Sequence, residues 1–369
     1  MQWSRVVVFC LLGWIPALCQ PRLDTASISQ INQKVTEFMA KTSSPGISVA
    51  IVKNGEFVWA DGYGMADLEN NVPATNETEY RLGSVSKPLS ATGAMWLVEH
   101  GKLDLDAPVQ KYCPAFPQKK SPITTREVLS HTAGIRHYKS DSRDDPDISS
   151  TKHYDSIHDA LKVFANDDLV AEPGTKFNYS TFGYTLLGCV IEGASGQKYI
   201  DFMQRTIFAP SGMTHTQDDD EHRIIAHRAQ GYQKDERGGV INSELADTSY
   251  KVPGGGLISN VEDMARFEAA LLNNKLLRTE TRQQMWSRQA PSADPKRAYG
   301  FGWGMSDLFG FPTVGHAGAQ QRVTTAIIIQ PEHKAGVVVL CNMENVDTFA
   351  LAAELLRIVV GEGSPSPAG

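Results

Sequence analysis

Strand-forming runs lie near both ends of this 369-residue chain, and mainly helical patterns lie between them. Near the start, residues 46–52 are apolar and partly β-branched, and Asn54-Gly55 then predicts a tight hairpin turn. Near the end, residues 324–329 and 337–340 predict a second hairpin. We therefore predict an α/β (α+β) fold. In it, an antiparallel sheet built from both chain ends is flanked by helices, and a mostly helical domain is inserted.

The helical patterns set the limits of the predicted domains. Apolar residues recur at helical spacing over 28–39, and residues 349–360 are rich in Ala and Leu. Between them, helices are predicted at 91–100, 126–131, 158–164, 184–193 and 199–208. We predict a sheet domain at 28–83 and 240–360, a helical domain at 84–239, a mobile surface loop at 141–155 and a disordered tail at 361–369.

The first 19 residues predict a secretory signal peptide. Arg5 precedes a short apolar run over residues 6–15, and Pro16 and small residues then break the run. Because the run is too short to span a bilayer comfortably, we expect no stable membrane insertion after the signal is removed. The predicted location is secreted or periplasmic. An uncleaved N-terminal anchor is the alternative interpretation.

The formal net charge of −7 argues against nucleic-acid binding, because no basic stripe is present to neutralise phosphates. Two of the five cysteines lie in the predicted signal peptide, which leaves Cys113, Cys189 and Cys341. Their wide spacing predicts no disulfide framework. Cys189 and Cys341 lie in apolar runs and are predicted to be small core residues. The oligomeric state stays open.

A serine three residues before a lysine is the first chemical signal. The pattern occurs three times, at Ser84, Ser149 and Ser195, and only Ser84 opens a long apolar helix. On that helix Lys87 shares a face with Ser84, and the unpaired N–H groups of the first turn face an incoming oxyanion. Burial favours the neutral lysine that a general base requires. The alternative is that Ser84 only caps the helix.

Two further segments add to this signal. Tyr179 follows a Pro-Gly turn, and beside a lysine cation its phenol would ionise more easily and relay protons. The small residues from His316 to Ala319 predict an open strand edge on which a substrate could pair, and the Ala319 N–H would complete an oxyanion hole with that of Ser84. Taken alone, Tyr179 is a half-buried tyrosine, and the other segment is a Gly-rich turn with a surface imidazole.

The sequence lacks the motifs of other common hydrolase and nucleotide-binding classes. No serine lies in a G-x-S-x-G elbow, and no H-E-x-x-H motif or phosphate-binding P-loop is present. The ten histidines show no convincing zinc spacing. We therefore predict no metal and no cofactor.

Taken together, the segments around Ser84, Tyr179 and His316 resemble the three ordered motifs of the serine β-lactamase/penicillin-binding-protein superfamily. The branch that they resemble holds class C β-lactamases, D-alanyl-D-alanine carboxypeptidases and related esterases. Residues 135–138 and 179–187 are also similar to animal mitochondrial members, although the predicted signal peptide favours export. The likeness extends over residues 28–360, and the segments 126–135, 254–259 and 299–303 also fit.

The resemblance implies a serine hydrolase that forms an acyl-enzyme on a small peptide, amide or ester. Ser84 would be the nucleophile, and Lys87 and Tyr179 would share the proton transfer. Oxyanion and substrate binding would fall to the following residues: Ala319, Thr181, His316 and Gly318. A second hypothesis is an inactive binding or assembly protein that keeps the fold.

Three positions depart from the usual superfamily pattern. Thr181 replaces a common asparagine, and Ala317 replaces the Thr or Ser that helps to hold a substrate carboxylate. The second change removes a hydrogen bond to a charged group, which is worth about 1.5–3 kcal/mol. His316 replaces a common lysine and is expected to be a cation only part of the time near neutral pH. These changes weaken the case for efficient β-lactam hydrolysis and leave the acylation residues in place.

Overall fold

The computed structural model describes residues 23–140, 145, 147–148, 150–290 and 298–361. The predicted signal peptide, six residues of the predicted loop 141–155 and residues 362–369 of the predicted tail lie outside this description. Among the described helices, none combines the length and the apolar character that crossing a membrane requires.

The described chain forms eleven helices and thirteen strands, numbered in chain order. The helices are α1 Thr25–Thr42, α2 Ser86–Glu99, α3 Thr125–Leu129, α4 Ile157–Leu161, α5 Thr181–Ser195, α6 Tyr199–Met203, α7 Ala209–Ser211, α8 Val252–Gly255, α9 Val261–Leu272, α10 Thr279–Met285 and α11 Thr348–Val360. The strands are β1 Gly46–Lys53, β2 Glu56–Asp67, β3 Val72–Pro73, β4 Tyr80–Arg81, β5 Gln217–Asp218, β6 Tyr232–Lys234, β7 Val240–Asn242, β8 Leu257–Ser259, β9 Ala298–Tyr299, β10 Gly304–Leu308, β11 Phe311–Gln320, β12 Val323–Gln330 and β13 Ala335–Cys341.

Both ends of the chain build one sheet, as predicted. Its eight strands are antiparallel and follow the order β3-β2-β1-β13-β12-β11-β10-β9. The two ends join where β1 pairs with β13, for example Val49 opposite Val339. The predicted fold class is confirmed. The predicted domain limits stay a prediction.

Each face of the sheet is covered by helices, because the central strands are apolar on both sides. Alternate residues of β1 point to opposite faces, so Val49 and Ile51 pack with α1 and α11. Ala50 and Val52 belong to the core on the other face, which contains α2, α5 and α9. This second core lies between the sheet and the helical segments, and the loops at its edge carry the predicted site.

Two helices next to the site begin earlier than their apolar periodicity predicts. The second helix begins at Ser86 instead of residue 91, and the fifth begins at Thr181 instead of residue 184. The serine–lysine pattern itself predicts that Ser84 opens the second helix, and Ser84 lies in the turn directly before it. Ser180 caps the fifth helix, since its hydroxyl accepts a hydrogen bond from the Gly183 N–H at 2.9 Å. These polar first turns show little apolar periodicity, so the sequence pattern missed them.

The prediction that Cys189 is only a small core residue is wrong. Cys113 and Cys189 form a disulfide across 76 residues of chain. Cys189 lies inside α5, and Gly193 of the same helix lies so close to the Tyr112 carbonyl that a Cβ on it would be 1.7 Å from that oxygen, which brings the segment of Cys113 against the helix. Sequence spacing carries no information about that packing. Cys341 is buried and free, as predicted.

Candidate active site

Ser84 lies in a single 3₁₀ turn, Gly83–Val85, directly before the second helix. Gly83 allows the turn because its φ is +54°, a left-handed conformation that favours glycine. The turn is fastened to the sheet, since the Thr325 hydroxyl donates to the Leu82 carbonyl at 2.7 Å. Ser84 remains partly exposed, whereas its neighbours Gly83 and Val85 are buried. The serine oxygen is therefore held in place while still open to a ligand.

Lys87 lies one turn along the helix and is fully buried. Its Nζ lies 3.0 Å from Ser84 Oγ, 2.7 Å from the Gly254 carbonyl and 3.2 Å from Thr181 Oγ1. Burial, and secondarily the charge of Lys251, holds the pKa of Lys87 well below its usual range. A neutral amine fits these partners, because it donates to Gly254 and Thr181 and still has a lone pair for the Ser84 proton.

Tyr179, the third residue predicted to be catalytic, lies next to Lys87. The Lys87 Nζ lies 4.7 Å from the centroid of the tyrosine ring. Desolvation raises the pKa of Tyr179, and the nearby Ser84 hydroxyl offsets this only in part. The expectation of an easily ionised phenol is therefore wrong, because burial of Tyr179 disfavours its charged form. Tyr179 is placed as a neutral hydroxyl.

The small residues of β11 lie against the Ser84 turn. The β10 strand pairs with β11 only as far as Gly315, so the edge of β11 from His316 onward is not covered by that neighbour. A Cβ on Gly318 would come within 2.3 Å of the Leu82 carbonyl and 3.2 Å of Ser84 N, and one on Gly83 would lie 3.2 Å from Ala319 N. The segments that carry the Ser84 and Ala319 nitrogens are therefore in close contact, and the oxyanion hole that they would form stays a prediction.

His316 is neither a surface imidazole nor a cation at neutral pH. Its side chain is buried, Nδ1 donates to the Ala317 carbonyl at 2.7 Å, and Nε2 accepts from the Tyr299 hydroxyl at 3.0 Å. Burial, and secondarily Lys87, lowers the pKa of His316 to about 3. The expectation that it is charged part of the time near neutral pH is wrong, because both ring nitrogens are occupied in the neutral tautomer.

Two histidines outside the three motifs also contact the site. His131 accepts a hydrogen bond from the Ser180 N–H at 3.1 Å, and its ring centroid lies 4.3 Å from that of Tyr179. His137 accepts from the Thr181 N–H at 3.3 Å. Both histidines therefore hold the chain around Tyr179 and Thr181. Their segment was noted only for its family resemblance, and no spacing linked it to residue 180.

One group of side chains away from this site has the chemistry of a metal site. The ligand atoms of His153, Asp220 and His222 lie within 4.8 Å of one another. Asp220 already accepts a hydrogen bond from Arg223 at 3.1 Å, and the His222 side chain is 72% exposed. A cavity of about 880 Å³ borders His153 and Asp220, and neither Ser84 nor Lys87 lines it. The contacts described for Ser84 and Lys87 do not involve this group.

Comparison with known proteins supports the resemblance. The Beta-lactamase family model matches residues 31–361. The chain belongs to the beta-lactamase family. Among family relatives, the human serine beta-lactamase-like protein LACTB, mitochondrial, is 29% identical, and the match covers 94% of this chain and 82% of the relative. The predicted superfamily is confirmed.

Solved structures of beta-lactamase-fold proteins share this architecture. The octameric penicillin-binding protein homologue from Pyrococcus abyssi superposes with a TM-score of 0.79 at 28% identity, covering 91% of this chain and 78% of that one. D-amino acid amidase from Ochrobactrum anthropi SV3 superposes with a TM-score of 0.78 at 24% identity, covering 91% and 98%. The second likeness shows the fold alone.

Proposed function

We propose that this beta-lactamase-family protein is a serine hydrolase that acts through an acyl-enzyme on a peptide, amide or ester carbonyl. The observation that carries the proposal is the contact between Ser84 Oγ and the buried Nζ of Lys87 at 3.0 Å. A partly exposed hydroxyl beside a desolvated amine whose pKa is lowered is an activated nucleophile. Tyr179, whose pKa is influenced by the Ser84 hydroxyl, adds a second group that can move a proton.

In the proposed acylation, Ser84 Oγ attacks the substrate carbonyl carbon while its proton passes to the Lys87 lone pair. The N–H groups of Ser84 and Ala319 hold the oxyanion that forms. Tyr179 then donates its proton to the leaving nitrogen or oxygen and recovers one from Lys87. Water releases the acyl group by the reverse sequence, and Ser84 is regenerated with its hydrogen.

The substrate class is proposed as a peptide, amide or ester, and similar proteins support this range. One structural neighbour is described as a D-amino acid amidase and another as a penicillin-binding protein homologue. Efficient β-lactam hydrolysis is less well supported. Ala317 offers no hydroxyl, and the neutral His316 offers no positive charge to a β-lactam carboxylate.

The test is covalent labelling of the purified protein by a fluorophosphonate, read by intact mass. Wild type is expected to gain one adduct, and Ser84→Ala is expected to gain none. Ser195→Ala is the matched control, because Ser195 also precedes a lysine by three residues but lies at the end of α5. Labelling that persists in Ser84→Ala would contradict the assignment.

A broad acyl panel then separates the enzyme from a binding protein that only keeps the fold. The panel contains a chromogenic ester, D-Ala-D-Ala peptides, L-peptides and a cephalosporin. Turnover that disappears in Ser84→Ala supports the hydrolase. Silence on every substrate, together with no fluorophosphonate adduct, would instead favour an inactive binding or assembly protein.

We also propose that the chain is exported, although the human relative bears the name of a mitochondrial protein. The short apolar run near the N-terminus supports this, as does the pairing of Cys113 with Cys189. Disulfides form and persist mainly in oxidising compartments outside the cytosol. Counting the free thiols of the secreted protein tests this proposal.

A further inference from the structure

Two histidines and an aspartate meet beside the cavity that lies away from Ser84. The ligand atoms of His153, Asp220 and His222 lie within 4.8 Å of one another, and the centroids of the two imidazole rings are 4.4 Å apart. The sequence shows no zinc spacing here, because the two histidines lie on distant segments of the chain. Two imidazoles and one carboxylate are a donor set that binds zinc and other divalent transition metals.

A buried carboxylate holds His153 in the tautomer that metal binding requires. The His153 Nδ1 donates to Asp247 Oδ2 at 2.8 Å, and because a carboxylate only accepts, Nε2 keeps the lone pair. Asp247 is itself fixed, since its Oδ1 accepts from the Ser249 N–H at 2.7 Å and its own N–H donates to the Ser150 carbonyl at 2.9 Å. Metal-bound histidines almost always have such a partner, so Asp247 is a second observation that points to an ion.

Asp220 lies on a turn whose backbone is anchored without an ion. Its neighbour Asp219 is buried and pairs with Arg81 at 2.6 Å and with Arg228 at 3.0 Å. The Asp220 N–H also donates to the Asp218 carbonyl at 3.0 Å. The position of the Asp220 carboxylate therefore does not depend on metal binding.

The Asp220 carboxylate can bind a metal ion without giving up its present partners. Its Oδ2 accepts from Arg223 at 3.1 Å, and Arg223 also pairs with Asp218 at 2.5 Å. Its Oδ1 accepts from the His222 N–H at 2.8 Å and has a second lone pair that can face an ion. Asp155 and Asp218 line the same cavity as Asp220, so the local charge favours a cation.

His222 is the adjustable ligand of the group. Zinc ligands lie about 2.0–2.2 Å from the ion, so the ligand atoms of a tetrahedral site are about 3.4 Å apart. Closing the present spacing of up to 4.8 Å needs a side-chain movement on the order of 1 Å. The His222 side chain is 72% exposed, so its imidazole can turn by this amount without moving the backbone.

We propose that His153, Asp220 and His222 bind one divalent transition-metal ion, and that Asp247 positions His153 for it. Three protein ligands leave the fourth position of a tetrahedral ion to water. The ion ties the segment that carries His153 to the turn at 218–222, which Asp219 fastens to Arg81 in β4. The site is separate from Ser84, and its role is to stabilise the folded chain.

The test is zinc titration of the purified, untagged protein after a chelator has been used and dialysed away. Inductively coupled plasma mass spectrometry gives the zinc per chain, and competition with a chromophoric chelator gives Kd. Wild type is expected to bind one zinc ion. His153→Gln, Asp220→Asn and His222→Gln should each raise Kd at least about tenfold. Asp247→Asn should raise Kd about tenfold, because the negative charge behind His153 is lost.

His227→Asn is the matched control on the same segment. His227 is exposed, and its φ of +58° is one that asparagine tolerates, so this variant should keep the wild-type Kd. An ion that binds the folded chain raises its Tm by mass action. Zinc should therefore raise the Tm of wild type and of His227→Asn, and it should not raise the Tm of His153→Gln.

The outcomes are decided by the ligand variants. Wild type without stoichiometric zinc, or a wild-type Kd in both His153→Gln and His222→Gln, overturns the site. A wild-type Kd in Asp247→Asn alone overturns the positioning role of Asp247. The two histidines lie on separate segments, so misfolding of one variant does not leave the site untested. Ser84→Ala keeps every ligand and should bind zinc like wild type, so the site and the proposed hydrolase are tested independently.

Discussion

At the scale of single residues, burial decides which protonation states the site contains. Lys87, His131 and His316 all have pKa values lowered chiefly by desolvation, and Tyr179 has its pKa raised by the same cause. Burial therefore favours the neutral form of each of these groups. A site of neutral groups suits a mechanism in which a proton moves between a serine, an amine and a phenol.

The protonation state of Lys87 predicts how kcat/KM depends on pH. Its neutral form must accept the Ser84 proton, so kcat/KM should fall as the pH falls through the Lys87 pKa. Because burial holds that pKa well below 10.5, the rate should reach its plateau far below pH 10.5. A pH profile of kcat/KM on an uncharged ester measures the position of this acid limb.

Lys87→Arg provides the matching variant, since a guanidinium stays charged at every accessible pH. We expect kcat/KM to fall by about 10²–10⁴, the usual contribution of a general base. Lys198→Arg is the control on an exposed lysine. An acid limb near pH 10 in wild type, or full activity in Lys87→Arg, would show that Lys87 is not the base.

At the scale of elements, the packing of α9 on the sheet buries a carboxyl group. Glu268 is fully buried, and neither carboxyl oxygen has a hydrogen-bond partner among the described residues. Its Oε2 lies 2.3 Å from the position that a Cβ on Gly336 would take, so the glycine of β13 makes room for it. Burial raises the pKa of Glu268 well above 4.5, so the folded protein retains this proton to a higher pH than the unfolded chain does.

Glu268 should therefore make stability depend on pH. Above about pH 4.5 the unfolded chain releases the Glu268 proton while the folded chain retains it, so the free energy of unfolding falls as the pH rises. Glu268→Gln removes this titration and should flatten the fall. Urea unfolding between pH 5 and 8 measures both slopes, with Glu280→Gln as the exposed control. Equal slopes in wild type and Glu268→Gln would refute the prediction.

At the scale of the whole molecule, the disulfide links distant parts of the helical region. Cys113 and Cys189 close a loop of 76 residues, and a cross-link of that length restricts the unfolded chain strongly. Removing it with Cys113→Ala and Cys189→Ala should lower the free energy of unfolding by about 2–5 kcal/mol. Denaturant unfolding with and without a reductant measures the effect.

The same experiment bears on export. Protein made through a secretory route should contain one free thiol, Cys341, after denaturation without a reductant. The double alanine variant should show no further response to the reductant, which serves as the control. Three free thiols in the secreted wild type would contradict the disulfide and weaken the proposal of an oxidising compartment.

The fold could be predicted from the sequence more completely than the site. The terminal strands were predictable because apolar, β-branched runs and Asn54-Gly55 are local signals, and their place at both chain ends predicted one shared sheet. The pairing of β1 with β13 was established by the structure. Apolar periodicity missed the starts of the second and fifth helices, and only the serine–lysine pattern indicated that the second begins near Ser84. His131 and His137 were missed because no short-range pattern connects them to Ser84.

By itself, the sequence determined the fold class, the family and the order of Ser84, Lys87 and Tyr179, since these depend on local patterns and motifs. Only the tertiary structure decided the charges of the site and its partners. Burial lowered the pKa values of Lys87 and His316, and packing brought Cys113 to Cys189 and Lys87 to the Gly254 carbonyl. Desolvation and contacts across more than fifty residues arise only when the chain is packed, so no local pattern encodes them.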